Sequence, residues 1–302
     1  MKLADIARPV LRSFPRPSMR LLGMLGAGYR DDRAWAAATP RYRALYDRAL
    51  NAVVSSDLSL WCGRACYYFG RFYDQSHQAL LRLLLRPGDT YVDIGANLGF
   101  HSLFARNLIG PGGTLVSVEP HPDTFALLSA HLAINRIRNC HSFNLALGET
   151  ESEALLNQLE EHSGTATMRA TTAAKRTIAV PVRRGDDVLG PLSFTGRVII
   201  KIDVEGFEQQ VLSGMPRILA GASAAVVEVT PEWIRNQGGD PLELYRSMRD
   251  QGFVPYLPTL PWRLGLFAQP IRMALLRSPL PQQHDVCFLR LDLAAELELP
   301  LP

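Results

Sequence analysis

From Thr90 onward the chain alternates short apolar runs with helix-length stretches of 3.6-residue periodicity. Thr90–Ile94, Thr114–Val118, Ser142–Leu147, Val198–Ile202 and Ala224–Val229 read as strands. Phe100–Leu108, Asp123–Asn135, Phe207–Leu219 and Pro241–Gln251 read as helices, with Phe125, Leu128 and Leu132 at core-like spacing in the second. Strands this uniformly apolar belong to a sheet covered on both faces, and helical crossovers make neighbouring strands parallel. Phe253–Leu257 and Val286–Leu291 close the pattern as strands without a helical pattern between them, which predicts an antiparallel hairpin at one sheet edge. Ile178–Val182 is a further candidate edge strand, and the polar stretch 151–176 reads as a loop or lid with a short strand. The Pro-rich connection 258–283 is long enough to cover a site. Ligands of such sheets bind beyond the carboxyl ends of the strands, at the switch point. The residues that follow each strand therefore carry the functional argument.

The first 50 residues, rich in Ala, Leu and Arg with prolines at 9, 15, 17 and 40, read as short helices. Leu58–Phe72, with its aromatic residues and cysteines, reads as one or two lead-in strands, and His77–Leu85 as a helix ended by Arg86-Pro87-Gly88. This divides the chain into an N-terminal extension, 1–70, and a main domain, 71–302. Lys2 and nine arginines face four aspartates in the first 50 residues, a pattern expected of a solvated helical face. The net charge of +3 is too small to imply a nucleic-acid partner. No apolar run reaches the roughly 18 residues of a membrane span, and Asp5, Arg8 and Arg12 interrupt any secretory signal. Cys62 and Cys66 lack a second ligand pair nearby, so they and Cys140 and Cys287 are expected as free thiols in a reducing cytoplasm.

Asp93-Ile94-Gly95-Ala96-Asn97-Leu98-Gly99 ends a strand and opens a helix, the context of a nucleotide-type cofactor site. It departs from the dinucleotide pattern, because Asn97 stands at the second glycine and the third comes one residue early. Charge decides between cofactors. An acid at the strand tip repels a pyrophosphate on the helix N-terminus but attracts a sulfonium–ammonium ligand. S-adenosylmethionine fits and NAD fits poorly. Glu119, just after the second strand, stands where an acid reaches ribose hydroxyls. The plainer alternatives are a Gly-rich turn capped by Asp93 and a surface carboxylate at Glu119.

DIGANLGFHS, VSVEPHPDTFALLSAHLAIN, NLALGE and IKIDVEGFEQQVLSG, in that order, resemble the FkbM family of methyltransferases over about Phe72–Leu291. The resemblance implies a doubly wound, Rossmann-like α/β methyltransferase sheet, mostly parallel. It implies a class I, S-adenosylmethionine-dependent enzyme, most often an O-methyltransferase acting on hydroxyls of sugars or natural products. Asp93, Gly95, Ala96, Asn97 and Gly99 would then surround the methionyl part of the cofactor, and Glu119 would hold the ribose. Asn144 to Ala146 would lie near adenine.

Lys201-Ile202-Asp203-Val204-Glu205-Gly206-Phe207-Glu208 puts three carboxylates where a strand gives way to a helix, and Glu228 ends the next strand. Asp203 and Glu205 share a face if the extended backbone continues that far, and Lys201 is a candidate partner for one of them. Burying such groups is costly unless they are paired, hydrogen-bonded or metal-bound. Two roles follow for Asp203, Glu205 and Glu228: general base toward an acceptor hydroxyl, or ligands of a divalent cation such as magnesium. The sequence leaves both open. Glu208 reads as a helix N-terminal acid. His101, and still more His121 and His162, read as satisfied histidines rather than catalytic ones, and Trp233, Trp262 and Phe267 as packing. The segment 158–167 resembles the family's loop over the site.

The leading expectation is methyl transfer to a hydroxyl of a small molecule or glycan. Protein or nucleic-acid methylation by the same fold is the runner-up, weakened because the Asn-Pro-Pro-aromatic motif of many base methyltransferases is absent. A non-catalytic cofactor-binding module is the third reading, and a nicotinamide dehydrogenase is disfavoured by the charge argument.

Overall fold

The structure is a computed structural model that describes residues 3–26, 41–158, 166–167, 176–263 and 267–301. Its centre is an eight-stranded sheet whose strands run, edge to edge, Arg272–Leu275, Phe253–Thr259, His284–Arg290, Ala224–Val229, Val198–Ile202, Thr90–Ile94, Thr114–Val118 and Cys140–Phe143. The strands are β3 (Thr90–Ile94), β4 (Thr114–Val118), β5 (Cys140–Phe143), β10 (Val198–Ile202), β11 (Ala224–Val229), β12 (Phe253–Thr259), β15 (Arg272–Leu275) and β16 (His284–Arg290). From β5 to β11 all pairings are parallel. The chain winds outward from β3 through β4 to β5, then returns to β10 on the other side of β3. That reversal between β3 and β10 is the switch point, and it brings the first turn and the acidic segment side by side.

Alternate residues of these strands feed two apolar layers. Val92, Ile94, Val116, Ile200 and Ile202 pack on one face; Tyr91, Leu115 and Ile199 pack on the other. Helices Gln75–Leu84 and Phe100–Ile109 cover the second face through Leu80, Leu81, Leu84, Leu103, Phe104 and Ile109. Asp93 and Lys201 lie on that same side by strand alternation, beneath the two helices.

The region before β3 differs from expectation. Residues 42–57 form a hairpin of β1 (Tyr42–Asp47) and β2 (Ala52–Asp57), where only helices were expected. Trp61–Phe69 is a helix rather than lead-in strands. Its aromatic residues favour strands, but Gly70 ends it in the left-handed conformation (φ 61). At Gly63 a Cβ would lie 1.9 Å from the Asp57 carbonyl, so only glycine lets this helix start against the hairpin. Leu45, Leu50, Ala52 and Val54 share a core with Leu103, Leu128 and Leu132, so packing is continuous across residue 70. Helices Leu3–Leu11 and Met19–Met24 pack outside this, through Ala4, Leu11 and Leu22, on Leu58, Tyr68 and Phe69. Several of the basic residues are tied down: Arg8 donates to Tyr67 Oη at 2.8 Å, Arg41 pairs with Asp57, and Arg16 stacks on Trp262. Arg30 and Arg33 lie outside the described residues.

Later departures have local causes. The third strand splits: β5 ends at Phe143, and β6 (Ala146–Gly148) joins a second sheet with β7 (Ser152–Gln158), β8 (Ala166–Thr167) and β9 (Arg176–Arg184). The stretch read as Ile178–Val182 thus pairs with β7 and β6, not at the edge of the main sheet. The single helix expected over Phe207–Leu219 is two, Glu208–Ser213 and Pro216–Gly221. Met215 precedes a proline and leaves the helical region (φ −137, ψ 42), where Pro216 starts the second helix. The last strands do pair antiparallel, but β16 sits between β12 and β11, and β15 from the Pro-rich connection forms the edge. β13 (Trp262–Arg263) and β14 (Phe267–Ala268) form a small separate ribbon. Among the described residues, no helix is long and apolar enough to cross a membrane.

Candidate functional site

The turn after β3 is built from three residues in the left-handed region: Gly95 (φ 77), Asn97 (φ 50) and Gly99 (φ 78). The Gly95 and Ala96 N–H groups both donate to the Val118 carbonyl at 2.9 Å, which pins the turn to the end of β4. A Cβ at Gly95 would lie 1.9 Å from the Asp203 carbonyl. The turn is thus wedged against the tip of β10, and any side chain there would force the two apart. Glu119 accepts from the Asn97 N–H through Oε2 and from the His121 N–H through Oε1, both at 2.8 Å. Burial pushes its pKa up to about 7, despite the two amides that favour the carboxylate. Asn144 donates to the carbonyls of Glu119 and Pro120 at 2.9 and 3.0 Å, so it shapes the segment following β4. Ala146 is buried in β6 against Leu156, Val180 and Val182.

Asp93 is fully buried beneath this turn. Adjacent-strand register sets Ser117, Asp93 and Lys201 in one row across β4, β3 and β10. Ser102, from the helix above, donates to Asp93 Oδ2 at 2.6 Å and meets Ser117 Oγ at 2.8 Å. Lys201 Nζ lies 3.6 Å from Asp93 Oδ1 and 3.0 Å from Asp203 Oδ2. Burial alone would lower the Lys201 pKa, but the two carboxylates raise it, so the ammonium stays charged. For Asp203 burial pulls upward, and Lys201 outweighs it to hold the carboxyl below its ordinary value. Lys201 is the partner that the sequence nominated.

Asp203 and Glu228 come together, hydrogen-bonded at the tips of β10 and β11. Burial, then the Asp203 charge, pushes Glu228 up to about 9, while Gln283 Nε2 donates to its Oε1 at 2.7 Å. At neutral pH the pair therefore holds one proton, carried by Glu228. Glu205 does not share the Asp203 face by strand alternation, because the strand ends at Ile202 and Glu205 occupies a turn at φ 57. Its charge still raises the Glu228 pKa. Glu208 is buried and accepts from the Gly206 and Val204 N–H groups at 2.9 and 3.3 Å. It closes the turn before the helix, in keeping with its reading as a helix N-terminal acid.

Asp203 and Glu228 open onto a pocket with Asp285 on their side and Asp74, His77 and His101 opposite. Lys201 lines it as well. Asp285 is pushed up to about 7 by burial and by Asp74 and Asp203. His77, pushed down to about 3 by burial and Lys201, and His101, also lowered by burial, are neutral imidazoles. His101 thus stands in the pocket rather than on an unrelated helix face. Asp74 and His77 were missed. Their three-residue spacing across a helix start was visible, but it reads equally as a cap, and Asp74 does accept from the His77 N–H at 3.0 Å. His121 caps its own helix, accepting from the Thr124 N–H at 3.4 Å. His162, and most of the loop expected over 158–167, lie outside the described residues.

The Methyltransferase FkbM domain family matches residues 93–255, which span β3 to β12 and so contain the turn, Glu119 and the acidic pair. The 31-O-demethyl-FK506 methyltransferase FkbM of Streptomyces tacrolimicus is 47% identical over 53 residues, 18% of this chain and 20% of that protein. The hexuronic acid methyltransferase AglP of Haloferax volcanii is 23% identical over 184 residues, 58% of this chain and 69% of that protein. A methyltransferase FkbM structure from Methylobacillus flagellatus KT superposes with a TM-score of 0.42 at 15% identity, covering 86% of this chain and 59% of the other. The family match spans more than half of the 302 residues and holds the switch-point turn and both acidic strand ends. The chain belongs to the FkbM methyltransferase family.

Proposed function

We propose that this protein is an S-adenosylmethionine-dependent O-methyltransferase whose acceptor hydroxyl lies in the pocket beside Asp203 and Glu228. The observation that carries the reading is the contact between the Gly95 turn and the Asp203 backbone, which brings the cofactor turn and the acidic pair together at the switch point. The donor set fits the cofactor. Glu119 spends one lone pair per oxygen on backbone amides, which leaves further acceptor capacity for ribose hydroxyls. Asp93 beneath the turn and Glu119 beside it make the region acidic, which favours a cationic ligand over a pyrophosphate. S-adenosylmethionine supplies an electrophilic methyl group on a sulfonium; the chain's residues supply position and a proton acceptor.

The acidic pair supports the acceptor role. It holds one proton at rest and has room for a second, so ionised Asp203 would accept a hydrogen bond from the hydroxyl and take its proton as the C–O bond forms and the methyl–sulfur bond breaks, its electron pair staying on sulfur. Lys201 keeps Asp203 ionised and fixes its orientation. An ammonium already neutralises this carboxylate at 3.0 Å, which argues against a magnesium ion shared by Asp203, Glu205 and Glu228. The names of the two relatives, one an O-demethyl compound's methyltransferase and one a hexuronic acid's, favour oxygen acceptors of the sugar or natural-product class.

The test supplies methyl-labelled S-adenosylmethionine with a panel of hydroxyl-bearing acceptors, uronic acids first, and identifies the linkage formed. A methyl ether is the expected product; label found only on nitrogen would overturn the reading. On the acceptor so found, Asp203→Asn should lower turnover by about 10²-fold or more, with cofactor affinity retained.

A further inference from the structure

The wall of the pocket opposite Asp203 has the composition of a transition-metal site. Asp74, His77 and His101 each offer a donor atom, and each of these atoms lies within 4.8 Å of the other two. Zinc bonds of about 2.0–2.1 Å in tetrahedral geometry put donors about 3.4 Å apart, so a small inward movement of the three side chains closes the site. Two elements deliver the donors. Asp74 caps helix Gln75–Leu84 and His77 stands in its first turn, while His101 is the second residue of helix Phe100–Ile109. Asp74 spends Oδ1 on the His77 N–H and leaves Oδ2, which lies 3.5 Å from His101 Nε2.

Neither imidazole is committed elsewhere. His77 Nε2 meets Tyr91 Oη only at 3.5 Å, and the enclosed His101 Nδ1 has no partner. The two rings lie 4.2 Å apart by centroid, in direct contact. The surroundings are acidic as well: Asp74 and Asp285 line the same pocket, while Lys201 is already paired with Asp203 and Asp93.

We propose that Asp74, His77 and His101 bind a divalent transition-metal cation of the zinc type, with an open coordination position facing the pocket that Asp203 and Glu228 share. Three protein ligands and a free position are the pattern of catalytic rather than structural zinc. In that position the ion would hold an acceptor oxygen and lower its pKa. This donor set differs from the all-carboxylate set read from the sequence, since imidazole nitrogen selects zinc-like ions over magnesium. The site does not depend on the acceptor being a hydroxyl, because metal binding is its readout.

The full chain, stripped with a chelator, is titrated with zinc by calorimetry and with cobalt(II) by visible absorption. One equivalent should bind, with the ligand-field bands of a four- or five-coordinate cobalt ion. Asp74→Asn and His101→Ala should each weaken binding at least about tenfold, the least that even outer-shell partners of a bound metal contribute. A Cys62→Ser/Cys66→Ser double variant should leave it unchanged. Asp74 is the most exposed of the three, so its variant remains informative if His77→Asn fails to fold. No binding overturns the proposal, as does binding that survives both Asp74→Asn and His101→Ala or is lost with the cysteines. S-adenosylhomocysteine binding to the metal-free protein, measured separately, reports on the cofactor reading alone.

Discussion

Glu228 is a carboxyl that the fold keeps protonated, and that has a consequence for stability. Its pKa rises from an ordinary 4.5 to about 9 in the folded chain, through burial and then the Asp203 charge. In the unfolded chain it ionises near 4.5, so the folded state loses stability relative to the unfolded one as pH climbs from about 4.5 toward 9. Glu228→Gln is neutral throughout and can still donate to Asp203. Its melting temperature relative to wild type should therefore rise between pH 5 and pH 8, by several degrees at about 2–4 °C per kcal/mol. A difference independent of pH would show that Glu228 ionises normally. Single residues were legible in the sequence where their chemistry is local. Lys201 and Asp203 stand two apart on one strand, so their pairing could be foreseen. The burial of Asp93 between Ser102 and Lys201 depends on strand register, and the meeting of His77 with His101 on two helices crossing one face. Neither is encoded in spacing along the chain.

At the scale of elements, His131 shows why residues 42–57 belong with the site. Its Nε2 accepts from the Ser55 N–H and its Nδ1 meets the Leu98 carbonyl, both at 2.9 Å, so one ring links β2 to the turn below Gly99. Asn135 adds two bonds to Val53, at 2.8 and 2.7 Å. Leu45, Leu50 and Val54 are buried in the main core, worth together about 5–9 kcal/mol, against a domain stability of about 5–15 kcal/mol. A chain starting at residue 58 should accordingly be unfolded or aggregated. A chain starting at residue 41 lacks the two outer helices but keeps the hairpin, and should fold with a lower melting temperature and keep its cofactor affinity. Circular dichroism melts and a cofactor titration check both; equal behaviour of the two truncations would show that the hairpin is dispensable. The sequence revealed the alternation from Thr90 onward because each strand there is apolar on both faces. It hid the hairpin, whose β2 carries Ser55, Ser56 and Asp57 and is satisfied by a helix distant in sequence. It also hid the departure of β6 into the second sheet, which turns on the two-residue break at Asn144 and Leu145.

For the molecule as a whole, the sheet reversal between β3 and β10 concentrates the chemistry on one edge, and cofactor choice follows from the charge there. Asp93 lies under the turn and Glu119 beside it, both buried and both raised in pKa by burial. A pyrophosphate would add negative charge to this region, whereas a sulfonium–ammonium ligand would offset it. S-adenosylhomocysteine keeps the ammonium and ribose, so it should bind and stabilise the folded chain, and NAD should not. At 100 times its dissociation constant a ligand adds about 2.7 kcal/mol, about 5 °C in a chain of this size. Glu119→Ala should remove about 1–3 kcal/mol of that binding energy, the cost of a lost buried hydrogen bond to a charged group. The variant then needs roughly 5- to 150-fold more ligand for the same shift. A melting shift produced by NAD and not by S-adenosylhomocysteine would reverse the charge argument. An undiminished response of Glu119→Ala would instead leave the turn as the cofactor site and remove Glu119 from it.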